Sequence, residues 1–487
     1  MIPGADLDAL RAKLRPFEEA ELALLRSVVS RPAWLAEPEE AAIRYALNLA
    51  RITLLRTPDG DLDLEELLDP FRQELQSIVE PLLLRAGGVD RAGAARLAPH
   101  LGARALAWRQ RLLQAFPDRL PPELLDREVC ERALVLVCGG GGGVSWAYLG
   151  AFALLEQYGL VPRLLAGASM GATLLLFRAR RIHYAEEDLR EVVSKLTFRS
   201  VFRFLETESR YALPGAARLY LREAIGEFLR APGGRPLRLA DLPIPLLVTV
   251  TGIRAGALPH DPGFYEHLLD LTGRMPRPHV VKRAVTDLRT ALTELVRQRD
   301  RFARVYLGGD DETAAFDAVD AVGFSSSLPG VIHYDVLRDD ERMHRLLEDL
   351  FRRHELFRLM DGGISDNLPA RAAFDVVHRG ALGTRNAFVL ALDAFGPKLT
   401  HPLWFTLQQL VAQNVARNRP FIGHAKSFQK VLSPVEVIPA PAHLERAIQW
   451  GKEELLPEMP LIARMCRPFR RPAAGRGLAG GPAPSGA

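Results

Sequence analysis

Two short apolar runs in the middle of the chain predict neighbouring buried strands. Leu134 to Cys138 is continuous and valine-rich, which is typical of a strand buried on both faces. Leu164 to Ala166 is a second apolar run, and the helix-like segment Val144 to Gly159 separates the two. A further helix is predicted from Ala172 to Arg181. This alternation predicts adjacent units in which a strand is followed by a helix.

The pattern continues downstream with further candidate strands and helices. β-branched and apolar runs bounded by proline, glycine or charge predict strands, whereas longer amphipathic runs predict helices. The predicted strands are Asp241 to Ile253, Phe302 to Leu307, Ala321 to Phe324 and Asn386 to Asp393, and the predicted helices are Ile182 to Leu196 and Asp335 to Arg358.

The flanking regions show a different pattern from the centre. Apolar residues at spacings of three and four predict that residues 1–128 form a helical region, with a structural or regulatory role favoured over partner binding. Residues 401–466 are predicted to form a helical extension, with a possible short strand from Val431 to Pro439. Residues 467–487 are rich in proline, glycine, alanine and arginine, which predicts a disordered tail.

Glycine-rich turns follow the two central strands. Five glycines, Gly139 to Gly143, follow the first strand, and glycine allows a backbone to approach a ligand with its N–H groups pointing outward. The second strand runs into Gly167-Ala168-Ser169-Met170-Gly171. A Gly-x-Ser-x-Gly sequence is typical of a sharp strand-to-helix turn that presents a serine. Together the two turns predict an oxyanion site beside a nucleophile.

Four motifs in order resemble the patatin-like phospholipase family. The first two are the glycine run, continuing through Gly150, and the serine turn. Ala321 to Gly330 resembles the small-residue and proline segment that precedes the family's aspartate, and Asp361 to Pro369 resembles its Asp-Gly-Gly motif with a trailing Asn-x-Pro. The resemblance covers roughly Arg132 to Gly396. It implies a three-layer α/β/α core with a mostly parallel sheet, over about residues 129–400.

The resemblance also implies a chemistry. It implies a lipid acyl hydrolase of the phospholipase A or lysophospholipase type, in which Ser169 is the nucleophile and Asp361 the general base, without cofactor or metal. The backbone of the glycine run would stabilise the oxyanion, and further glycines would shape the two turns. These groups are Gly140, Gly141, Gly142 and Gly143 for the oxyanion, and Gly167, Gly171, Gly362 and Gly363 for the turns. Thr173 and Asn367 are interpreted as structural.

One departure from the family pattern concerns the glycine run. Val144 and Ser145 stand where members commonly have a basic residue and a glycine, so a positive charge near the oxyanion is absent. Losing one oxyanion donor typically costs about 10²–10³ in rate. Two alternatives therefore stay open. The first is a catalytically weak lipid-binding or partner-binding protein. The second is a Ser-His-Asp hydrolase or acyltransferase, for which no motif supports any of the later histidines, His378, His401, His424 and His443.

Segments between the core motifs are predicted to be helical inserts, at about residues 196–240, 255–304 and 335–358. In the first, Phe198, Phe202 and Phe204 alternate with Arg199 and Arg203. Burial of these phenylalanines in the core is favoured over a membrane-facing surface or an acyl pocket. In the second, a basic amphipathic helix is interpreted as core-facing with a solvated basic side, rather than as lying on a membrane.

Composition narrows the possible partners and location. The 487 residues carry a formal net charge of +4, a mild excess that suits an anionic membrane surface but does not indicate nucleic-acid binding. Three cysteines give neither a disulfide framework nor metal-ligand spacing, and we find no calcium-binding loop. The N-terminus lacks a signal-peptide pattern, and no apolar run is long enough to span a bilayer. We expect a cytoplasmic protein able to associate peripherally with membranes, of undetermined oligomeric state.

Overall fold

The computed structural model describes residues 6–204, 209–254, 302–396 and 413–473. These residues form two compact units, each built from separate stretches of chain. The first contains the described residues up to Ala133, together with Val377–Phe388 and those from Pro460 onward. The second contains the described residues of Leu134–Val376 and Val389–Met459.

The first unit is mainly helical. Its helices pack around a core that includes Phe17, Phe71 and Trp108. Asp6 and Asp90 cap two of the helices by accepting bonds from backbone amides just inside. The helices are α1 (Leu7–Ser30), α2 (Glu37–Ala50), α3 (Glu65–Leu83), α4 (Arg91–Ala115) and α5 (Pro122–Cys130), with a 3₁₀ turn at Pro32–Trp34.

A β-hairpin interrupts the predicted helical region. Strand β1 (Leu54–Thr57) pairs antiparallel with β2 (Gly60–Asp63). Gly60 has φ +115°, a conformation that residues with side chains rarely adopt. The prediction of helix throughout residues 1–128 is therefore wrong for this segment, because a turn with Pro58, Asp59 and Gly60 reverses the chain.

The second unit is organised around a seven-stranded sheet. Its strands are β3 (Ala133–Cys138), β4 (Leu164–Ala168), β7 (Leu246–Arg254), β8 (Phe302–Leu307), β10 (Leu356–Met360), β11 (Ala387–Asp393) and β12 (His424–Ser427). Their order is β10-β7-β4-β3-β11-β12, with β8 paired to β7. The pairs of β3 with β4, β4 with β7 and β11 with β12 are parallel, whereas β8 and β10 run antiparallel to β7. The α/β class with a mostly parallel sheet and N-terminal helices is confirmed.

A second, three-stranded sheet lies in the same unit. Strand β5 (Phe202–Phe204) pairs antiparallel with β6 (Gly215–Leu219), and β6 pairs parallel with β9 (Gly330–His333). The insert at about 196–240 was expected to be helical, and that expectation is wrong where β5 and β6 form. The insert at 335–358 contains the predicted helix but ends in β10. Most of the insert at 255–304 lies outside the described residues.

The remaining helices follow β3 along the chain. They are α6 (Tyr148–Gln157), α7 (Ser169–Ala179), α8 (Glu186–Lys195), α9 (Phe198–Val201), α10 (Leu221–Ile225), α11 (Asp311–Ala314), α12 (Ala318–Ser325), α13 (Glu341–His354), α14 (Gly362–Asp366), α15 (Ala370–His378), α16 (Pro441–Leu455) and α17 (Met459–Cys466). Further 3₁₀ turns lie at Gly142–Ala147, Gly226–Phe228, Leu239–Asp241, Arg419–Phe421 and Leu456–Glu458. Among the described residues, no helix has the length and apolarity needed to cross a membrane.

Two predicted strands have a different structure. Ala321 to Phe324 lies within helix α12, whose residues are all buried; a short apolar run that is buried on every side cannot be told from a strand by its periodicity. Val431 to Pro439 forms no strand, and the strand of this region is β12 instead. Residues 401–412 of the predicted C-terminal extension and 474–487 of the predicted tail lie outside the described residues, as do residues 397–400.

Candidate active site

Ser169 lies at the turn between β4 and α7. Its φ is +52°, in the left-handed region, as expected for a strained strand-to-helix turn. A Cβ on Gly171 would overlap the carbonyl oxygen of Gly139, and one on Gly167 would lie 2.9 Å from the Leu175 side chain. The turn therefore requires glycine on both sides of the serine, as the sequence predicted.

Asp361 follows β10 and caps the short helix α14. Its side chain accepts a 2.8 Å hydrogen bond from the amide of Gly363 and lies beside the Ser169 side chain at the wall of the same cavity. Asp361 is 7% exposed. Burial raises its pKa to about 6, although interaction with the Ser169 side chain and the Gly363 amide lowers it in part. The structure thus brings together the predicted serine and aspartate, although 192 positions (361 − 169) separate them in the chain.

The two glycines after Asp361 allow close packing. A Cβ on Gly362 would overlap the carbonyl oxygen of Thr249, and one on Gly363 would lie 2.7 Å from Asn367 Oδ1. Both positions of the predicted Asp-Gly-Gly turn therefore have a steric reason to be glycine.

The four amides of the predicted oxyanion site do not share one environment. The amide of Gly140 donates to Asn367 Oδ1 at 2.9 Å, and that of Gly143 donates to the carbonyl oxygen of Pro434 at 2.9 Å. No described residue accepts a bond from the amides of Gly141 and Gly142, whose φ values are +148° and +65°. Gly140 and Gly143 therefore already have acceptors within the protein, and the assignment of Gly140 to Gly143 to the oxyanion site stays a prediction.

Several polar side chains that the sequence did not single out hold the site together. Ser325 Oγ accepts a 2.8 Å bond from the amide of Ser169 and donates to the carbonyl of Thr249 at 2.7 Å. Thr251 Oγ1 donates to the carbonyl of Asp361 at 2.7 Å. The only signal available for Ser325 was its place in the small-residue segment, and Thr251 sat in a strand with no chemical motif.

A cavity of about 380 Å³ opens beside Ser169 and Asp361. Its lining is mostly apolar, and Asp361 is the only charged side chain among the described residues that line it. Phe202 is buried, but Phe198 and Phe204 are 53% and 57% exposed. All three border the cavity, so the interpretation of Phe198 and Phe204 as core residues is wrong.

Residues 136–374 match the family model described as Patatin-like phospholipase. This segment is a patatin-like phospholipase domain. Proteins of this family are generally serine lipid hydrolases. The matched residues include both Ser169 and Asp361. No curated protein matches the chain.

The departure from the pattern of the patatin-like phospholipase family has a structural counterpart. Val144 and Ser145 lie in the 3₁₀ turn Gly142–Ala147 and are both buried. No lysine or arginine is among the described residues that line the cavity of the patatin-like phospholipase domain. Stabilisation of a negative charge there would depend on backbone amides.

An acidic cluster in the patatin-like phospholipase domain already holds a cation of the protein. Carboxylate oxygens of Asp317, Asp320 and Asp340 lie within 4.8 Å of one another. Arg222 contacts all three, at 2.8 Å from Asp317 and 3.0 Å from Asp340. The guanidinium occupies the position that a metal ion would take, which gives this cluster a structural role.

The histidines of the alternative triad have different environments. His424 contacts Glu458, and His443 contacts Glu436. His378 ends helix α15, and His401 lies outside the described residues. In the patatin-like phospholipase domain the titratable side chain that borders the cavity together with Ser169 is that of Asp361.

Proposed function

We propose that this protein is a lipid acyl hydrolase of the phospholipase A or lysophospholipase type. The observation that carries the proposal is the position of Ser169, on its strained turn, beside the buried Asp361 at the wall of an apolar cavity. A nucleophile beside a base at the wall of an apolar cavity suits an ester of a long-chain acid.

In the first half of the proposed reaction, Ser169 forms the acyl-enzyme. Its Oγ attacks the ester carbonyl carbon while Asp361 accepts the hydroxyl proton. The tetrahedral intermediate then collapses, the bond to the alcohol breaks, and Asp361 returns the proton to the departing alkoxide. A base with a pKa of about 6 is ionised at neutral pH yet basic enough to share this proton.

In the second half, water releases the acyl group. Asp361 accepts a proton from the attacking water, the bond between the acyl carbon and Ser169 Oγ breaks, and the proton returns to Ser169. The free fatty acid leaves, and the dyad is restored. These steps balance with the side chains of Ser169 and Asp361, an ester and one water.

The amides of Gly141 and Gly142 are the proposed donors to the oxyanion. They are the two amides of the glycine run without a described acceptor, and both residues line the cavity with Ser169. The N-terminus of α7, which begins at Ser169, adds a favourable field for negative charge.

A serine-reactive fluorophosphonate probe tests the proposal. We expect label on Ser169, located by mass spectrometry, with none in Ser169→Ala and slower labelling in Asp361→Asn. Ser326→Ala is the matched control for the nucleophile because Ser326 borders the same cavity. Asp366→Asn is the control for the base because Asp366 is another buried carboxylate of α14.

Labelling alone does not define the substrate, so release of fatty acid from phospholipids and lysophospholipids is measured with the same variants. Two results would contradict the dyad. One is a folded wild type that is labelled at a different serine, and the other is a Ser169→Ala variant that hydrolyses lipids as fast as the wild type. Activity lost in a variant of His378, His401, His424 or His443 would instead support the triad.

Val144 stands where members of the family commonly have a basic residue, and this favours a second candidate function, which is lipid binding without turnover. The cavity offers an apolar site but no cationic side chain among its described lining residues. In that case a fluorescent fatty acid would bind in the cavity, while the probe would leave Ser169 unmodified.

Binding to an anionic membrane surface is also proposed. The exposed Phe198 and Phe204 border the cavity, with Arg199 and Arg203 between them. Apolar side chains flanked by basic ones suit the interface of an anionic membrane. Sedimentation with vesicles containing phosphatidylserine should therefore exceed sedimentation with phosphatidylcholine vesicles and should fall as salt rises.

A further inference from the structure

A loop beyond the matched domain borders the candidate active site. Residues Ser433 to Ile438, here called the 433–438 loop, lie between β12 and α16. The family match ends at residue 374, so this loop belongs to a part of the chain that the comparison does not assign. It lies nevertheless in the same compact unit as Ser169 and Asp361.

The 433–438 loop contacts the glycine run directly. The carbonyl oxygen of Pro434 accepts a 2.9 Å bond from the amide of Gly143, and that of Val437 accepts a 3.2 Å bond from Trp146 Nε1. A Cβ on Gly142 would overlap the carbonyl oxygen of Pro434. The backbone of the loop is therefore packed against the segment that carries the proposed oxyanion donors.

The loop also has support on its other side. The amide of Glu436 donates to the carbonyl of Ser433 at 3.0 Å, which closes a turn. The Glu436 carboxylate contacts His443 near the start of α16. These contacts fix the path of the backbone without using the side chain of Val435.

Four residues of the loop line the cavity: Pro434, Val435, Val437 and Ile438. Val435 is 67% exposed although it borders the cavity, which places its side chain at the opening. A substitution there changes the surface that an entering chain meets and disturbs no buried packing.

We propose that the 433–438 loop selects the length of the acyl chain, with Val435 as the residue that contacts its distal methylenes. This inference rests on the proposed hydrolase function. On this proposal a short acyl chain bound at Ser169 ends before it reaches Val435, whereas a long one gains apolar contact there. One methylene in an apolar site changes the specificity constant by about 10–200-fold, so a wall residue can set a clear preference.

The test compares Val435→Glu with Val435→Leu and Leu456→Glu. Each variant is assayed on p-nitrophenyl butyrate and p-nitrophenyl decanoate at concentrations where neither ester aggregates. Leu456 is the matched control because it is 50% exposed and does not line the cavity. We expect Val435→Glu to lower the decanoate-to-butyrate ratio of kcat/KM about tenfold or more. Leu456→Glu should leave it near that of the wild type, and Val435→Leu, which keeps the wall apolar, should not lower it.

An unchanged ratio in Val435→Glu, or an equal loss on both esters, would overturn the inference, since the loop would then support the glycine run alone. A second readout separates this from failure of the proposed function. A fluorescent long-chain fatty acid is titrated into Ser169→Ala, with and without Val435→Glu. Weaker binding with Val435→Glu, together with a folded wild type that hydrolyses neither ester, would reject the hydrolase function but retain the loop as a chain-binding element.

Discussion

The ionisation of the buried carboxyl group of Asp361 is predicted to set the pH dependence of activity. Its pKa is raised to about 6 by burial, and only the ionised form can accept the proton of Ser169. We therefore expect kcat/KM on a soluble short-chain ester to rise with pH through about 6 and to level off above it. A pH titration of the initial rate measures this.

The control for this profile comes from the histidines. The rise should persist in variants with glutamine at His424 and His443, which contact glutamates elsewhere, and at His378 and His401. Loss of the rise in one of these variants, with the protein still folded, would assign the base to a histidine.

The same carboxyl group is predicted to reduce stability at neutral pH. The ordinary pKa of 3.8 applies to the unfolded chain, and the folded value is about 6, so the folded state holds this proton more tightly. The free energy of unfolding therefore falls as pH rises from about 4 to about 6. Asp361→Asn should raise it by up to about 3 kcal/mol above that window, at 1.36 kcal/mol for each pKa unit.

Urea denaturation of wild type and Asp361→Asn at about pH 4 and about pH 8 checks this sign. The gain should be large at the higher pH and small at the lower one. An equal effect at both would show that the substitution acts through shape and not through charge.

The glycine run offers a third prediction at this scale. Gly142 has a φ of +65°, and the Cβ of Gly142→Ala would overlap the carbonyl oxygen of Pro434. The glycine run must therefore shift in this variant, and its backbone amides shift with it. Gly383→Ala is the matched control, because Gly383 has φ +69° and open space around a Cβ. Probe labelling of Ser169 should slow by about 10²–10³ in Gly142→Ala and stay unchanged in Gly383→Ala. Equal labelling rates would exclude Gly142 as a donor.

At the scale of elements, two helices of the second unit cross at backbone contact. A Cβ on Gly451 of α16 would overlap the carbonyl oxygen of Ala147 and lie 3.3 Å from the Cα of Gly150 in α6. Ala147 ends the 3₁₀ turn that continues the glycine run. Helix α16 thereby packs against the segment that positions the proposed oxyanion donors.

Gly451→Ala should therefore lower the free energy of unfolding by about 1–3 kcal/mol through overpacking, and it should also slow probe labelling. Gly226→Ala is the control because a Cβ there meets nothing within 4 Å. Chemical denaturation and labelling are measured together. A variant that unfolds earlier but labels at the wild-type rate would separate the helix crossing from the site.

The elements also show where reasoning from sequence succeeds. Apolar runs such as Leu134 to Cys138 became strands because a parallel sheet buries both of its faces. Ala321 to Phe324 became part of a helix because α12 is buried on every side, which removes the polar face that would have revealed helical periodicity. Strand β12 escaped detection because its residues are polar and partly exposed.

At the scale of the whole molecule, a buried ionic cluster joins distant segments within the first unit. Glu21 of α1 is fully buried and contacts Arg44 at 2.9 Å and Arg132 at 2.6 Å. Arg132 in turn donates to Asn386 at 3.0 Å. Three stretches of chain, from residues 21–44, 132 and 386, therefore meet around one carboxylate.

Glu21→Gln should cost about 3–5 kcal/mol of unfolding free energy, because it removes the carboxylate that the buried Arg44 and Arg132 share. Glu19→Gln is the control, since Glu19 forms an exposed pair with Arg15 on the same helix and such pairs contribute about 0.3–0.5 kcal/mol. Guanidinium denaturation of both variants measures the difference. Equal and small effects would contradict a structural role for the cluster.

The pH dependence of this difference follows from the pKa of Glu21. Burial alone would raise it, but Arg132, Arg44 and Arg51 lower it to about 2. The charged form is thus favoured by folding, and the stability that it gives is present above about pH 4.5 and lost as pH falls through 2. The gap between wild type and Glu21→Gln should narrow over that range. A gap that stays constant would indicate packing instead of charge.

The sequence by itself determined the local turns and the fold class. The glycine turn around Ser169, the Asp-Gly-Gly turn at Asp361 and the parallel strands depend on rules that act over a few residues, such as φ above zero, close backbone approach and burial on two faces. Only the tertiary structure decided which amides of the glycine run lack an acceptor and that the 433–438 loop lies beside them. Those outcomes depend on contacts between residues far apart in the chain, such as Gly140 with Asn367 and Gly143 with Pro434, and no local pattern encodes such pairings.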